Sequence, residues 1–487
     1  MNDNRDNLAA DLLSSDATRL TAAIAAREIS CAELMRATLQ RIDTLNPRFN
    51  AIVARRDADV LMAEARAKDA DLARGVALGP LAGLPMAIKE LENVAGLPTT
   101  KGSPLLVGNI AAEDSEMTRR LRAAGAIIIG KTTAPEFALG SYSRSPVYGI
   151  TRNAYDERLT AGGSSSGAAV ALALRMVALA DGSDYGGSLR NPAGWNNVYG
   201  FRPSFGRIPR EDLDAWTPSL GVLGPMARSA DDLALLLSVQ VGQSEIAPLS
   251  LETDGAAFRA PLEGDLKAKR IAWVGDFGGA IPFDPGVLEL ARSSMSVLAS
   301  LGADVEEARP DFDFGELWRA FKVIRHWHNA PLLSFYRDPA KRALLPGAAL
   351  YEVEEGLKLS AYDVSAALQT RTRWSAALRA FNKRYDFWAQ PTAQCFAFAA
   401  EARGAARVGG RDMDTYHEWM QCVVPGTMSG APVLAAPAGF DAEGRAMGVQ
   451  IVGRPRDEIG LLRLARAYDL ATGWPKKRPP AALAPGG

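Results

Sequence analysis

The stretch 162-GGSSSGAAVALALRMVALADGSDYGGSLRNP-192 decides how the rest of the chain is read. It opens on two glycines and three serines, passes through small apolar residues suited to a buried helix, and closes on a second glycine pair followed by Ser188. Glycine is tolerated where the backbone bends into conformations other residues resist, or passes close to a ligand. Serines beside such bends present a hydroxyl and backbone N–H groups to one point in space. Acyl transfer needs that pairing of an activated nucleophile with fixed donors for the oxyanion. One glycine-serine cluster carries little information; two, bracketing a buried helix, carry much more.

The composition excludes several other classes. The 487 residues give a soft prior of about three domains, and the mix of 47% hydrophobic and 23% charged residues is that of an ordinary soluble globular protein. With 55 basic against 56 acidic residues, no nucleic-acid surface and no electrostatically bound membrane is expected. The opening MNDNRDNLAADLLSSD is acidic and polar, unlike a secretory signal. No apolar run reaches the roughly 18 residues that span a bilayer. Cys31, Cys395 and Cys422 are scattered without metal-ligand spacing, so the expected setting is reduced and cytoplasmic, with no metal.

Periodicity and punctuation predict a tail over residues 1–14, a helix from a cap at Asp16 to about Glu28, and another from Ser30 to about Leu45. Pro47 and Asn50 are expected in its exit loop, and a third helix over 57–74. From Leu81 the rhythm changes. LAGLPMAIK reads as a buried strand ending at Lys89, TRRLRAAG as helix, and AIIIG (126–130) as strand, an alternation that argues for α/β layers. A helix capped at Ser229 follows, then a strand over 269–275, a helix, and the strand ADVEEA. Residues 311–425 differ: they hold Trp318, Trp327, Trp374, Trp388 and Trp419 with all three histidines, His326, His328 and His417, and read as mostly helical. GAPVLAAPAGF and AMGVQIVG read as two strands, a hairpin returning to the main sheet, before a helix over 457–472 and a terminal tail.

Three catalytic patterns compete. Gly125–Thr132, GAIIIGKT, satisfies the phosphate-loop pattern, but its mechanism needs an exposed loop, and Ala-Ile-Ile-Ile belongs in a strand interior. The expected outcome is a core strand ending in a solvated lysine. GSSSG (163–167) satisfies the nucleophile-elbow pattern with Ser165 as nucleophile. That mechanism needs a histidine, and the preceding NAYDERLTA is polar where an elbow follows a hydrophobic strand. The third pattern uses lysine as the base. Lys89 closes an apolar strand; neutrality near pH 7 requires a drop of roughly 3 units from about 10.4, which desolvation supplies. Spacing alone does not separate this from a surface lysine paired with Glu90 or Glu92.

At this point the chain resembles the amidase signature family. GGSSSGAAVALA and ADGSDYGGSLRNP resemble the family's signature, and GLPMAIKELENVAGLPTTKGS its lysine segment. GAIIIGKTTAPEF, YGITRNAYD, YGFRPSFGRIP, GPMARSADD and GVQIVG look like family blocks in family order, across residues 16–475. The resemblance implies an α/β fold with a central mixed, twisted sheet covered by helices on both faces. It implies a helical N-terminal part at 15–75, a catalytic core at 80–310 and 426–475, and an aromatic-rich helical insertion at 311–425 that shapes the pocket, all one domain ahead of a tail at 476–487. It also implies a Ser–cis-Ser–Lys triad of Ser188 as nucleophile, Ser164 as bridging residue after a cis bond, and Lys89 as base. The N–H groups of Tyr185, Gly186, Gly187 and Ser188 match its oxyanion hole; Asp184 and Arg190 match residues bracing that loop, and Ser165 a supporting hydroxyl.

Four positions depart from the pattern: Glu90 for the usual aspartate, Tyr185 for a smaller residue, Asn153-Ala154 for Asn-Pro, and Thr133 for a frequent asparagine. The resulting expectation is a serine hydrolase of small apolar or aromatic amides, with carbamate (urethane) and ester bonds within its chemistry, acting as a monomer or homodimer without a cofactor. Two alternatives stay open: the amidase component of an amidotransferase, working with a partner, and a catalytically silent binding protein on the same fold.

Overall fold

The computed structural model describes residues 12–484 apart from 212–213 and 218–219, so most of the tail expected over 1–14, and residues 485–487, lie outside the described residues. Local signals decide the first helices. α1, Cys31–Phe49, starts at a capping box in which the Ser30 hydroxyl accepts from the Glu33 N–H and the Glu33 carboxylate accepts from that of Ser30. It runs past Leu45, carrying Pro47 in its last turn, and stops where Asn50 turns left-handed. α2, Ala58–Ala73, begins at Asp57, whose carboxylate accepts two N–H groups of the first turn.

The helix Ala17–Ala25 departs from expectation: Asp16 stands at its N-cap position without capping it, and instead meets Lys476 Nζ at 2.6 Å. The orphan N–H groups of Ala17 and Thr18 are taken at 2.8 and 2.9 Å by Asp232, far along the chain.

Two sheets follow. The smaller has β1 (Ile52–Val53), β2 (Pro85–Lys89) and β3 (Ile127–Thr132), with β3 in the middle, parallel to β2 and antiparallel to β1. β3 occupies the phosphate-loop pattern as a fully buried strand. Lys131 is not solvated: it is buried, and its Nζ donates to the carbonyl of Glu92 at 2.6 Å and to Thr99 Oγ1 at 3.2 Å. The strand's register carries it inward, where local carbonyls replace water.

α3, Ser166–Ala173, is buried along its whole length, as eight small residues between sheets demand. The larger sheet takes β4 (Leu179–Asp184), β5 (Tyr199–Arg202) and β6 (Val222–Ala227), then, after α4 (Ala230–Gln240), β7 (Arg270–Trp273). α5 (Val287–Ser300) and β8 (Asp304–Glu307) follow. Beyond α6 (Phe314–His328), α7 (Gly347–Gly356) and α8 (Ala361–Phe381) come β9 (Phe387–Pro391), the hairpin β10 (Val433–Phe440) and β11 (Ala446–Val452), and α9 (Glu458–Thr472).

Strand order is β8-β7-β9-β11-β10-β5-β6-β4. β8, β7 and β9 are mutually parallel and the remaining pairings antiparallel, which makes the sheet mixed. β9 lies inside the region read as mostly helical. Its five residues, FWAQP, are too few to show a period, yet they join the hairpin to the parallel strands. Trp374, Trp388 and Trp419 are fully buried, so much of the aromatic content of 311–425 is core. Among the described residues no helix is long and apolar enough to cross a membrane.

Asp232→Ala strips two buried N–H groups of their acceptors. It is expected to lower the unfolding free energy by about 2 kcal/mol in urea titrations and to expose the 17–25 segment to proteolysis before the rest of the chain.

Candidate active site

β4 is the edge strand of the large sheet, paired there with β6. Its other side faces the end of β2, and Asp181 makes the junction: its carboxylate accepts the backbone N–H of Lys89 at 3.1 and 3.3 Å. That contact aims the Lys89 side chain into the gap between the sheets. The amine there is 1% exposed and meets hydroxyls, donating to Ser164 Oγ at 2.8 Å, Ser165 Oγ at 2.9 Å and Ser183 Oγ at 2.9 Å. Among the described residues no carboxylate pairs with it. Burial pulls its pKa from 10.5 down to about 7, and the fields of Asp181, Asp184 and Glu92 only partly resist. Asp181 moves oppositely, pushed up by burial to about 7. The surface-lysine alternative therefore does not describe Lys89, and Glu90 is occupied elsewhere, accepting from Thr100 N, Thr100 Oγ1 and Gly102 N at 2.6, 3.0 and 3.1 Å.

The peptide bond between Gly163 and Ser164 is cis. Ser165 is tied on several sides: its hydroxyl donates to Ser183 O at 3.3 Å and accepts from the Ser183 N–H at 3.3 Å, while its own N–H donates to Ser188 O, also at 3.3 Å. Ser164 Oγ has Lys89 Nζ as its one hydrogen-bond partner among the described residues. Ser188 is 9% exposed, more open than Lys89, Ser164 or Ser165, and its hydroxyl makes no hydrogen bond among the described residues.

The loop carrying Ser188 is wound around Asp184. One carboxylate oxygen accepts the N–H of Gly187 at 3.0 Å and the other that of Leu189 at 3.0 Å. Arg190 pairs with it at 2.9 Å and Arg202 at 3.1 Å, all fully buried. Burial alone would raise the Asp184 pKa, but the two guanidiniums hold it well below the usual carboxylate range. Gly187 has φ +99°, and a β-carbon there would lie 2.4 Å from Asn191 Oδ1, so glycine is required twice over. Of the four N–H groups expected at the oxyanion, that of Gly187 donates to Asp184 Oδ1 at 3.0 Å. The N–H groups of Tyr185, Gly186 and Ser188 make no hydrogen bond among the described residues.

The sequence profile of the family described as Amidase matches residues 33–462. The chain belongs to the amidase signature family. It is 31% identical over 471 residues to an acylamidase of Rhodococcus erythropolis, covering 96% of this chain and 97% of that one. It is 32% identical over 483 residues to a glutamyl-tRNA(Gln) amidotransferase subunit of Moorella thermoacetica, covering 94% and 96%. A bacterial aryl acylamidase of the amidase signature family superposes with a TM-score of 0.87 at 26% identity, over 96% of this chain and 99% of that one.

The family's departures here have local explanations. Ala154, where proline is usual, has an N–H and donates it to Asn196 Oδ1 at 3.1 Å. Thr133 Oγ1 meets Thr151 Oγ1 at 2.5 Å, and its backbone stands where a β-carbon on Gly167 would fall, 2.4 Å away. The Tyr185 ring turns toward α6, its hydroxyl 2.6 Å from His328 Nδ1. The histidines of this amidase-family chain serve elsewhere: His326 pairs with Glu352 at 2.7 Å and His417 with Thr415 Oγ1 at 2.8 Å, so the elbow reading of Ser165 has no imidazole. Sequence reasoning missed Ser183, Asp181 and Arg202. Ser183 and Asp181 alternate along the ADGSD strand, a period-2 signal; Arg202 is brought in only by sheet pairing.

Lys89→Met is expected to raise the unfolding free energy at pH 6 by on the order of 3 kcal/mol, because the wild-type amine is protonated in both states there and its burial opposes folding. Between pH 7 and 10.5 the unfolded chain binds the extra proton, so wild-type stability recovers and the gain of the variant shrinks. Denaturant titrations of both proteins across that range check the sign.

Proposed function

We propose that this amidase hydrolyses amide bonds of small apolar or aromatic substrates through an acyl-enzyme on Ser188, with carbamate and ester bonds open to the same chemistry. The observation that carries the reading is the Lys89 amine, buried among three hydroxyls with its pKa pulled to about 7. A neutral amine has a lone pair for a proton; an ammonium ion has none. Lys89 takes the Ser164 hydroxyl proton as Ser164 takes that of Ser188, and Ser188 Oγ bonds to the substrate carbonyl carbon. The Ser164–Ser188 link closes as substrate binds, since catalytic hydrogen bonds are often long in unliganded sites. The free N–H groups of Tyr185, Gly186 and Ser188 meet the oxyanion. The proton returns along the relay to the leaving nitrogen as the C–N bond breaks, and water, deprotonated by the same route, releases the acid. Asp184, Arg190 and Arg202 hold the loop without touching substrate.

Support for an apolar or aromatic group comes from the wall beside the loop: a β-carbon at Gly186 would lie 3.4 Å from the Phe321 ring, and one at Gly187 3.0 Å from Val423. The likeness to acylamidases points the same way. A second reading rests on relatives at 32–33% identity that are glutamyl-tRNA(Gln) amidotransferase subunits. On it the chain would release ammonia from glutamine and do so efficiently only beside a partner.

Ser188→Ala is expected to cut kcat on a chromogenic anilide by about a thousandfold or more, with an unchanged melting temperature and no labelling by a fluorophosphonate probe. Near-normal turnover would remove Ser188 as nucleophile. In the wild type, kcat/KM should rise through a pKa near 7, as free Lys89 loses its proton. A profile flat from about pH 6 to 10 would remove Lys89 as the base. Glutamine turnover well above anilide turnover would favour the amidotransferase reading.

A further inference from the structure

We infer that Arg325 is a specificity residue of the proposed hydrolase, offering the N–H groups of its Nη1 to an uncharged oxygen acceptor on the substrate beside the scissile carbonyl. This rests on the acyl-transfer reading of the Ser188 loop and adds to it a substrate feature.

Arg325 lies on the inner face of α6 with its side chain 7% exposed. Two of its three nitrogens are committed. Nε donates to Glu352 Oε1 at 2.7 Å and to Tyr416 OH at 3.0 Å, and Nη2 donates to Tyr416 OH at 2.6 Å. The Tyr185 and Tyr416 rings flank the guanidinium carbon at 5.2 and 5.5 Å, so the plane is held before any ligand arrives. Nη1 takes no protein acceptor among the described residues. It lies 3.9 Å from the position a β-carbon would take on Gly186, the residue whose N–H stands free in the Ser188 loop. The Phe321 ring edge is 3.4 Å from that same position, and the Val423 methyls approach the corresponding point on Gly187 at 3.0 and 3.1 Å. Beside Gly186 the wall thus combines the apolar Phe321 ring edge with the oriented N–H donors of Arg325 Nη1.

Nη1 is not sealed from water, and a substrate oxygen that displaces that water takes over its N–H groups. Charge decides which oxygen. Burial favours a neutral Glu352, but Arg325 and His326 overcome it and hold the carboxyl down to about 2, so the carboxylate is ionised and matches the Arg325 charge. With the ion pair closed and only Nη1 open, the recess offers hydrogen bonds at one nitrogen rather than a two-nitrogen fork. A carboxylate is best met by such a fork. A carbonyl, ether or carbamate-ester oxygen needs only the one.

The test uses two substrate pairs matched in shape, each exchanging one oxygen for a methylene. On the acyl side these are phenylcarbamic acid methyl ester against propionanilide; on the amine side, a 4-methoxyanilide against a 4-ethylanilide. Arg325→Met alone would leave the buried Glu352 carboxylate without its guanidinium, so the informative variant is Arg325→Met/Glu352→Gln, with Glu352→Gln as the control that keeps the guanidinium. Melting temperatures establish that both fold. In at least one pair the oxygen-to-methylene ratio of kcat/KM is expected to fall about tenfold in the double variant, mostly through KM, and to hold in Glu352→Gln. Unchanged ratios in both pairs overturn the inference, as does a larger loss on a 4-carboxyanilide. Calorimetric Kd values for the same pairs on Ser188→Ala, with and without the double change, read recognition without turnover. A wild type that hydrolyses no anilide then overturns the proposed reaction, while this ratio still decides Arg325.

Discussion

An amine withdrawn from water and surrounded by hydroxyls instead of carboxylates is the constraint on which the rest of the site depends. Three separate pieces of backbone make it. The end of β2 supplies Lys89, the turn into α3 supplies Ser164 and Ser165, and the edge of β4 supplies Ser183. None is adjacent in sequence to both others, so the cluster exists only where the small sheet meets the large one. Asp181 makes that meeting specific by taking the Lys89 N–H that an edge strand would otherwise leave unpaired. A carboxylate a few ångströms nearer the amine would have held it as an ammonium ion, and the fold keeps Glu90 and Asp184 busy elsewhere.

The second constraint is the shape of the 184–190 loop. A fully buried carboxylate is tolerable only when paired and hydrogen-bonded on every side. Asp184 meets that condition with two backbone N–H groups and two arginines. Those bonds also dictate which N–H groups of the loop remain free: that of Gly187 is taken by Asp184, while those of Tyr185, Gly186 and Ser188 make no hydrogen bond among the described residues. Arg190 reaches further, to Val423 O at 2.8 Å and Gln450 Oε1 at 2.7 Å, so the loop is anchored to the helical region and to β11 at once. The arginines are thus structural ties whose effect on chemistry is to fix where donors point.

The aromatic-rich region 311–425 does two jobs that composition could not separate. Trp374, Trp388 and Trp419 are core, whereas Phe321 and Arg325 stand beside Gly186 of the Ser188 loop. Tyr185 joins the two: its backbone belongs to the loop and its side chain bonds His328 on α6. A larger residue at that position therefore does not fill the space in front of Ser188 but extends away from it. The neutral-tending histidines fit this role, since burial draws His328 down to about 4 and His417 to about 3.

Sequence by itself determined the elements and their order: capped helices over the first third, apolar runs for β2, β3, β7, β10 and β11, and the paired glycine-serine clusters whose ordered neighbours resemble one family. These signals are local, carried by side-chain period, cap chemistry and turn residues within a few positions. What only the tertiary structure decided depends on contacts between distant segments. It made β9 a central strand, buried Lys131 on carbonyl oxygens, gave the cap of the 17–25 helix to Asp232, and turned the Gly187 N–H inward. It also decided the surroundings of Lys89, because a pKa follows from how much water is excluded and which groups replace it, and neither quantity is written in the order of residues along a chain.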